Sequence, residues 1–481
     1  MFFISTRNSK VLCNFNDAML NVIAKQQDGL FVPSFLAKMS IEKIINLSNQ
    51  NYKNILIEVL SYISDNYINK ETIEQLVDTA LKDFGRGFGD NSVNKQEDQN
   101  DIIAVKNIEK NIKILNLTYG PTGCYKDYGY CVASSIVNYL SKQSGKPRVV
   151  IDISDETSGA STAWAIKDKE YIKGFILLQN EKNNLTKALI SQACKASKNI
   201  DVATVSTDHT FFDKIRCNIY KNTSLRDISN MTFINDLNLI CIFAYLPFFF
   251  KAYSSCNNKP FCVSIPTNNM SMGMSAFFAK KIGIPIKKII LATEKSDFLK
   301  NIQEKKIIEN NLSAKFNTNI PSNLERLLFY LYNANQSSVK RTMQEIESNR
   351  SYKISESLLK KFTEIFYIAQ CNNQFSMQNT INSLVKEKEL YAEKNFAIAK
   401  LGLDEANINI QNEISDYPVV ILNTLDYRRN IDFINTSLGY NLEYINNPLT
   451  EEYVKSFSYT EIAPDISEIL HYILDFFDKK K

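Results

Sequence analysis

From about residue 102 onward the chain alternates short aliphatic runs with helical stretches, and that alternation restricts its possible folds more than any other feature. "IKILNLTY", "RVVIDIS", "GFILLQ", "IDVATVS", "FCVSIP" and "KKIILAT" are short, rich in β-branched residues and read as strands. Between them "TAWAIKD", "NNLTKALISQACKASK" and "SAFFAKKIGI" read as helices. Aliphatic runs without a polar face belong to strands covered on both sides, so the pattern predicts an α/β protein with doubly wound parallel sheets. Upstream, residues 34–84 place apolar side chains at three- and four-residue spacing and read as helices. The segment "GRGFGDNSVNKQEDQND" at 85–101 turns polar and suits a boundary. Beyond about 300 the chain reads as mainly helical, with one further strand at "PVVILNT", 418–424. The expected plan is a mainly helical N-terminal subdomain over 1–95, a first α/β region over 100–255 and a second over 256–481 with a helical C-terminal part.

Composition excludes several classes. With 44% hydrophobic residues, 29 Phe and 24 Tyr in 481 positions, the chain has ample material for more than one packed core. A net charge of +4, with acids and bases interspersed, leaves no basic patch for a nucleic acid or a membrane surface. Nine cysteines form no CxxC pair, and with two histidines a zinc site has few ligands to draw on, so reduced thiols and no bound metal are expected. The N-terminus lacks the apolar core of a signal peptide. The longest apolar run, "LICIFAYLPFFF" at 239–250, is too short for a bilayer and reads as a buried helix. A cytoplasmic monomer or homodimer handling a small molecule is the expectation.

In open parallel sheets, ligands sit where strands end and loops enter helices. Four such loops carry polar residues: "YGPTGCYKDYG", "ISDETSGAS", "SIPTNNMSMG" and "LNTLDYRRN". The first holds Lys126 between Tyr125 and Asp127 at the mouth of an apolar helix. An amine attacks a carbonyl only when unprotonated, and an apolar, aromatic pocket favours that form. Asp127 opposes it if it points inward.

These loops, in this order, resemble the threonine synthase family, pyridoxal-phosphate enzymes with a tryptophan-synthase-β type of fold. "ISTRN" and "NFNDAMLNVIAKQQDGLFVP" are similar to that family's start. "YGPTGCYKDYG" resembles its H-G-P-T-x-A-F-K-D-F-G, and "SIPTNNMSMGMSAFFAKKIGIPIKKIILAT" its P-T-G-N-F-G segment with the helix and G-L-P-I-K-K that follow. The resemblance runs from residue 4 to about 298. It implies fold-type II, pyridoxal 5′-phosphate as cofactor, and Lys126 as the lysine that carries it as an imine and later shuttles protons. It further implies that Asn268, Asn269 and Ser271 contact the cofactor phosphate, with Asn235 and Thr424 also against the cofactor. Ser154 and Thr157 would contact the substrate carboxylate.

The same loops depart from the family pattern. Both glycines of the phosphate segment are replaced, leaving Asn268, Asn269, Met270 and Ser271. Asn tolerates the left-handed conformation, and Ser271 with Gly273 would help to form an anion nest. "SDETS", 154–158, replaces S-G-D-T-G and adds Asp155 beside Glu156; the basic stretch expected near "LLQNEKN" leaves only Lys182. Three functions follow: a threonine synthase-like lyase turning O-phospho-L-homoserine and water into L-threonine and phosphate; a related enzyme acting on another amino acid; or a non-catalytic relative kept as a binding or structural protein.

Overall fold

The computed structural model describes residues 1–24, 28–85, 101–154, 156–179, 184–267, 269–294, 297–304, 306–309, 321–349, 351–442 and 459–478. Two sheets organise these residues. The larger has six strands, ordered edge to edge Phe366–Gln370, Ile286–Thr293, Phe261–Pro266, Val419–Asn423, Ile112–Asn116 and Ala104–Glu109. The first five run parallel, and Ala104–Glu109 folds back antiparallel on Ile112–Asn116. The smaller sheet is parallel throughout: Thr460–Ile462, Ile200–Val205, Ile172–Gln179, Arg148–Ser154 and Met231–Thr232.

The aliphatic runs became the central strands because every position in them is covered. Val419–Asn423 is buried along its whole length, as are the last six residues of Arg148–Ser154. Each fully buried Val, Leu or Ile contributes about 1.5–3 kcal/mol over an exposed one. One apolar cluster runs from Phe3 through Leu115, Tyr128, Ile176 and Phe243 to Ile368 and Leu422, joining both sheets.

The sequence-based plan differs from the observed one in four places. The boundary near 255 does not separate the sheets: Ala104–Glu109 and Ile112–Asn116 pair into the larger sheet, while Thr460–Ile462 returns to the smaller. The N-terminal part is not only helical, because Phe3–Ser5 lies between Leu12–Cys13 and Phe31–Pro33 in an antiparallel sheet. Its helices Ile41–Ser48, Tyr52–Ser64 and Lys70–Leu81 stand where expected, each capped by its preceding side chain, Ser40, Asn51 or Asn69. Beyond 300 the chain adds the edge strand Phe366–Gln370 and a short pair, Ile307–Glu309 with Ser351–Lys353. The run at 239–250 forms two helices, Leu239–Ala244 and Leu246–Ser255, because Pro247 fits the first turn of a new helix and cannot continue the old one. Of the expected boundary segment 85–101, residues 86–100 lie outside the described residues. No helix among the described residues is long and apolar enough to cross a membrane.

Candidate active site

Lys126 is the first residue of helix Lys126–Ser144, and its side chain is buried. Its ammonium donates to the hydroxyl of Thr157 at 3.4 Å and to that of Ser158. Both acceptors sit at the start of helix Glu156–Ile166, which follows the end of strand Arg148–Ser154. The lysine thus lies where the two sheets bring their loops together, as strand-end geometry requires.

Asp127 does not face the amine. Its carboxylate turns back into its own loop, accepting from the Thr122 amide at 2.8 Å and the Thr122 hydroxyl at 2.7 Å. Burial raises the Asp127 carboxyl above the ordinary carboxylate range, opposed by hydrogen bonds from Ser161 and Thr122 and by the charge of Arg429. Arg429 in turn donates to the Thr122 carbonyl at 2.8 Å and to Thr186 at 3.1 Å. The loop depends on Gly120, where a Cβ would stand 2.3 Å from an Asp127 carboxylate oxygen. Thr424 meets this loop through its backbone, its carbonyl accepting from the Tyr125 amide at 2.9 Å.

Across the site, helix Ser271–Ile282 begins with its first turn buried. Asn269, just before the N-cap Met270, accepts through its side-chain oxygen from the Ser271 amide at 3.0 Å and the Ser271 hydroxyl at 2.9 Å. A helix start of this kind favours anions. The Ser271 hydroxyl also lies 3.3 Å from the Tyr125 hydroxyl, so the lysine loop and this turn touch. In this turn Met270 adopts the left-handed conformation, at φ 62°. Asn268 lies outside the described residues. Gly273 serves packing rather than an anion nest: a Cβ there would meet Leu291 at 3.0 Å.

Asp236 connects the two sides. It is buried; one carboxylate oxygen accepts from the Asn269 amide at 2.6 Å and the other from the Tyr245 hydroxyl at 3.0 Å. Burial raises its carboxyl above the ordinary range, opposed first by the charge of Lys126 and then by hydrogen bonds from Tyr245, Asn269 and Ser271. Sequence reasoning selected Asn235 instead, whose side-chain oxygen accepts locally from the Leu237 amide at 3.1 Å. A signal for Asp236 was present: it is the only charged residue between 231 and 250, and a lone charge in an apolar run needs partners.

The "SDETS" loop divides. Thr157 reaches Lys126, joined by Ser158, which the sequence reading did not select. Ser154 is buried and donates instead to Asp152, which also accepts from Thr162. Asp155 and Lys182 lie outside the described residues. Among the described residues, Lys126, Thr157, Ser158, Asn269 and Ser271 therefore come together with Asp236, while Asn235 and Ser154 make bonds within their own segments. A carbonyl cofactor fits at the lysine, whose buried amine stands among hydroxyls. An anionic group fits at the start of helix Ser271–Ile282, with Asp236 as its neighbour.

Known proteins resemble this chain in sequence and in fold. A family model described as "Threonine synthase N terminus" matches residues 2–81. Threonine synthase from Methylobacillus glycogenes is 20% identical over 469 residues, covering 92% of this chain and 93% of that protein. Human "Threonine synthase-like 2" is 21% identical over 380 residues, covering 76% and 75% of the two chains. Among solved structures, PLP-bound threonine synthase from Brucella melitensis aligns with TM-score 0.86 at 20% identity, and the yeast enzyme with 0.83 at 18%; each alignment covers 99% of both chains. The fold is that of the fold-type II pyridoxal-phosphate enzymes. Within that class, the chain is similar to threonine synthases along nearly its whole length, and its residues 2–81 match their N-terminal family model.

Proposed function

We propose that this chain is a threonine synthase-like lyase that uses pyridoxal phosphate to convert O-phospho-L-homoserine and water into L-threonine and phosphate. The observation that carries this reading is the buried Lys126 amine at a helix start, hydrogen-bonded to Thr157 and Ser158. The cofactor, when bound, supplies an electron sink for the substrate's α-carbon. Relatives named threonine synthase, and the PLP-bound structure from Brucella melitensis, support the choice of cofactor and reaction.

Each residue then has a task. With the cofactor bound, Lys126 would be the residue that holds it, and its amine would move protons at the substrate's α and β carbons. Thr157 and Ser158 orient that amine. Asn268, Asn269, Ser271 and the start of helix Ser271–Ile282 would hold the cofactor phosphate, and Asn235 and Thr424 would stand elsewhere against the cofactor. Thr157, with Ser154 behind it, receives the substrate carboxylate. Tyr125 and Tyr245, with ring centroids 5.3 Å apart, keep bulk water from the amine. Proton transfer by a positioned lysine benefits from such an apolar wall, which favours the neutral amine.

Adding pyridoxal phosphate to the purified protein, reducing with borohydride and mapping peptides tests the cofactor assignment. A visible absorbance band and a label fixed on Lys126 are expected, with phosphate release on addition of O-phospho-L-homoserine. A label elsewhere, or none, overturns the lysine assignment; a label without phosphate release overturns the substrate.

A further inference from the structure

The side chain that would hold a cofactor phosphate already binds an anion of the protein's own. Asn269 gives its amide N–H to Asp236 at 2.6 Å and accepts through its oxygen from Ser271 at the helix start. Asp236 is held from several sides: the Tyr245 hydroxyl bonds its second oxygen at 3.0 Å, and the buried Asn323 amide bonds its backbone carbonyl at 3.1 Å. Tyr245 is itself fixed, its ring stacked on Phe248 with centroids 5.7 Å apart. The carboxylate is held in place, because it, Tyr245 and Asn323 are buried, while Asn269 is half-buried. A phosphate arriving at Asn269 and Ser271 therefore meets a fixed negative charge bonded to the same amide. Like charges in a low-dielectric site repel strongly.

We propose that Asp236 is a specificity-determining residue that competes with the cofactor's phosphate for Asn269 and the start of helix Ser271–Ile282, so that the chain gains little affinity from that phosphate. The inference rests on the cofactor reading above and adds to it a residue that the family resemblance does not mark, next in the chain to Asn235. Asp236 acts on the amine as well, its charge and that of Lys126 attracting each other, an effect common to phosphorylated and unphosphorylated aldehydes, so the ratio of their affinities isolates the competition at Asn269. Pyridoxal phosphate stays the cofactor, held chiefly through Lys126.

The test compares pyridoxal phosphate with pyridoxal in absorbance titrations, followed by borohydride trapping and mapping of Lys126, in the full chain and in Asp236→Asn. Asparagine keeps an oxygen acceptor for Asn269 and removes the charge. In the wild type, the phosphorylated aldehyde is expected to bind less than about tenfold more tightly than pyridoxal. In Asp236→Asn the ratio of the phosphorylated to the unphosphorylated aldehyde's affinity should rise by roughly tenfold or more, whatever the common change at Lys126. A folded Asp236→Asn protein with an unchanged ratio overturns the competition. Should Asp236→Asn fail to fold, Tyr245→Phe carries the test. Losing a donor to the carboxylate favours its neutral form, so the preference for the phosphorylated aldehyde should increase about two- to threefold, and no increase overturns the proposal. A label on Lys126 with an unchanged ratio removes the competition alone. No label on Lys126 with either aldehyde, in the wild type, removes the cofactor reading and the competition with it.

Discussion

The two ends of the site are built on opposite principles. At the Lys126 end the acid nearest in sequence, Asp127, is turned away and satisfied by Thr122, leaving the amine to hydroxyls. At the Asn269 end, an acid from elsewhere in the chain, Asp236, is brought in and tied to the very residue that bonds the helix start. One end excludes a carboxylate and the other imports one. Sequence neighbourhood is therefore a poor guide to which acid acts on a site: the carboxylate beside the lysine in the chain is electrostatically remote in role, and the one 110 positions away is coupled to it.

The contrast is open to experiment. Lys126→Ala should have the largest effect, a complete loss of the absorbance band and of borohydride-fixed label at this position. Persistence of turnover in that variant would show that the first end is not where the chemistry lies. Gly129→Ala should couple the ends, because its Cβ would stand 2.6 Å from the Tyr245 hydroxyl and 2.7 Å from the ring carbon that bears it. Overpacking of this kind costs about 3 kcal/mol, read as a drop in urea midpoint, and should displace Tyr245 from Asp236.

A third buried acid, Glu393, sharpens the comparison, because one of its oxygens has no hydrogen-bond partner. Burial raises its carboxyl to about 8 from 4.5, with Asp426 adding to the rise. A folded-state value above the unfolded one means that the native protein binds the extra proton between those two values. Its contribution to stability is therefore complete below about pH 4.5 and is lost as pH rises through about 8. Glu393→Gln should flatten this dependence, raising stability at pH 8 by about 2 kcal/mol relative to its effect at pH 5. Equal changes in thermal midpoint at both pH values would refute it. Thr122→Val should have the smallest effect, about 1.5 kcal/mol, by removing one hydroxyl donor from Asp127 while keeping the amide bond. Denaturant titration measures it, and a larger loss would mean that Asp127 is held less redundantly than its three donors, the Thr122 amide and hydroxyl and Ser161, suggest.

The central strands were legible because burial on both faces leaves an unbroken aliphatic signature, as in "RVVIDIS" and "PVVILNT". The edges were not. "FYIAQ" at 366–370 lies at the outer margin of the larger sheet and is short, and the hairpin arm Ala104–Glu109 is mostly exposed and reads as polar. Lys126 and Thr157 were legible from motif order. Ser158 was passed over although it stands one position further along the same helix start, since sequence does not reveal which of two neighbouring hydroxyls faces an amine. Asp236 became visible only when the fold brought residues 236 and 269 together, because tertiary distance has no local pattern.

Arg326 carries one further consequence. Fully buried, it donates to the Phe31 carbonyl at 3.1 Å, to Asn323 at 2.7 Å and to the Leu237 carbonyl at 2.6 Å. Its bond to Phe31 closes a loop of 295 residues, joining the first small sheet to the segment that carries Asp236. On the ribosome, the N-terminal sheet must therefore wait for residue 326 before its buried carbonyl finds this partner, at a synthesis rate of roughly 5–20 residues per second. The order of translation thus keeps the Asp236 segment open until residue 326 is made, and the lysine loop, which leans on Thr424 and Arg429, is finished later still.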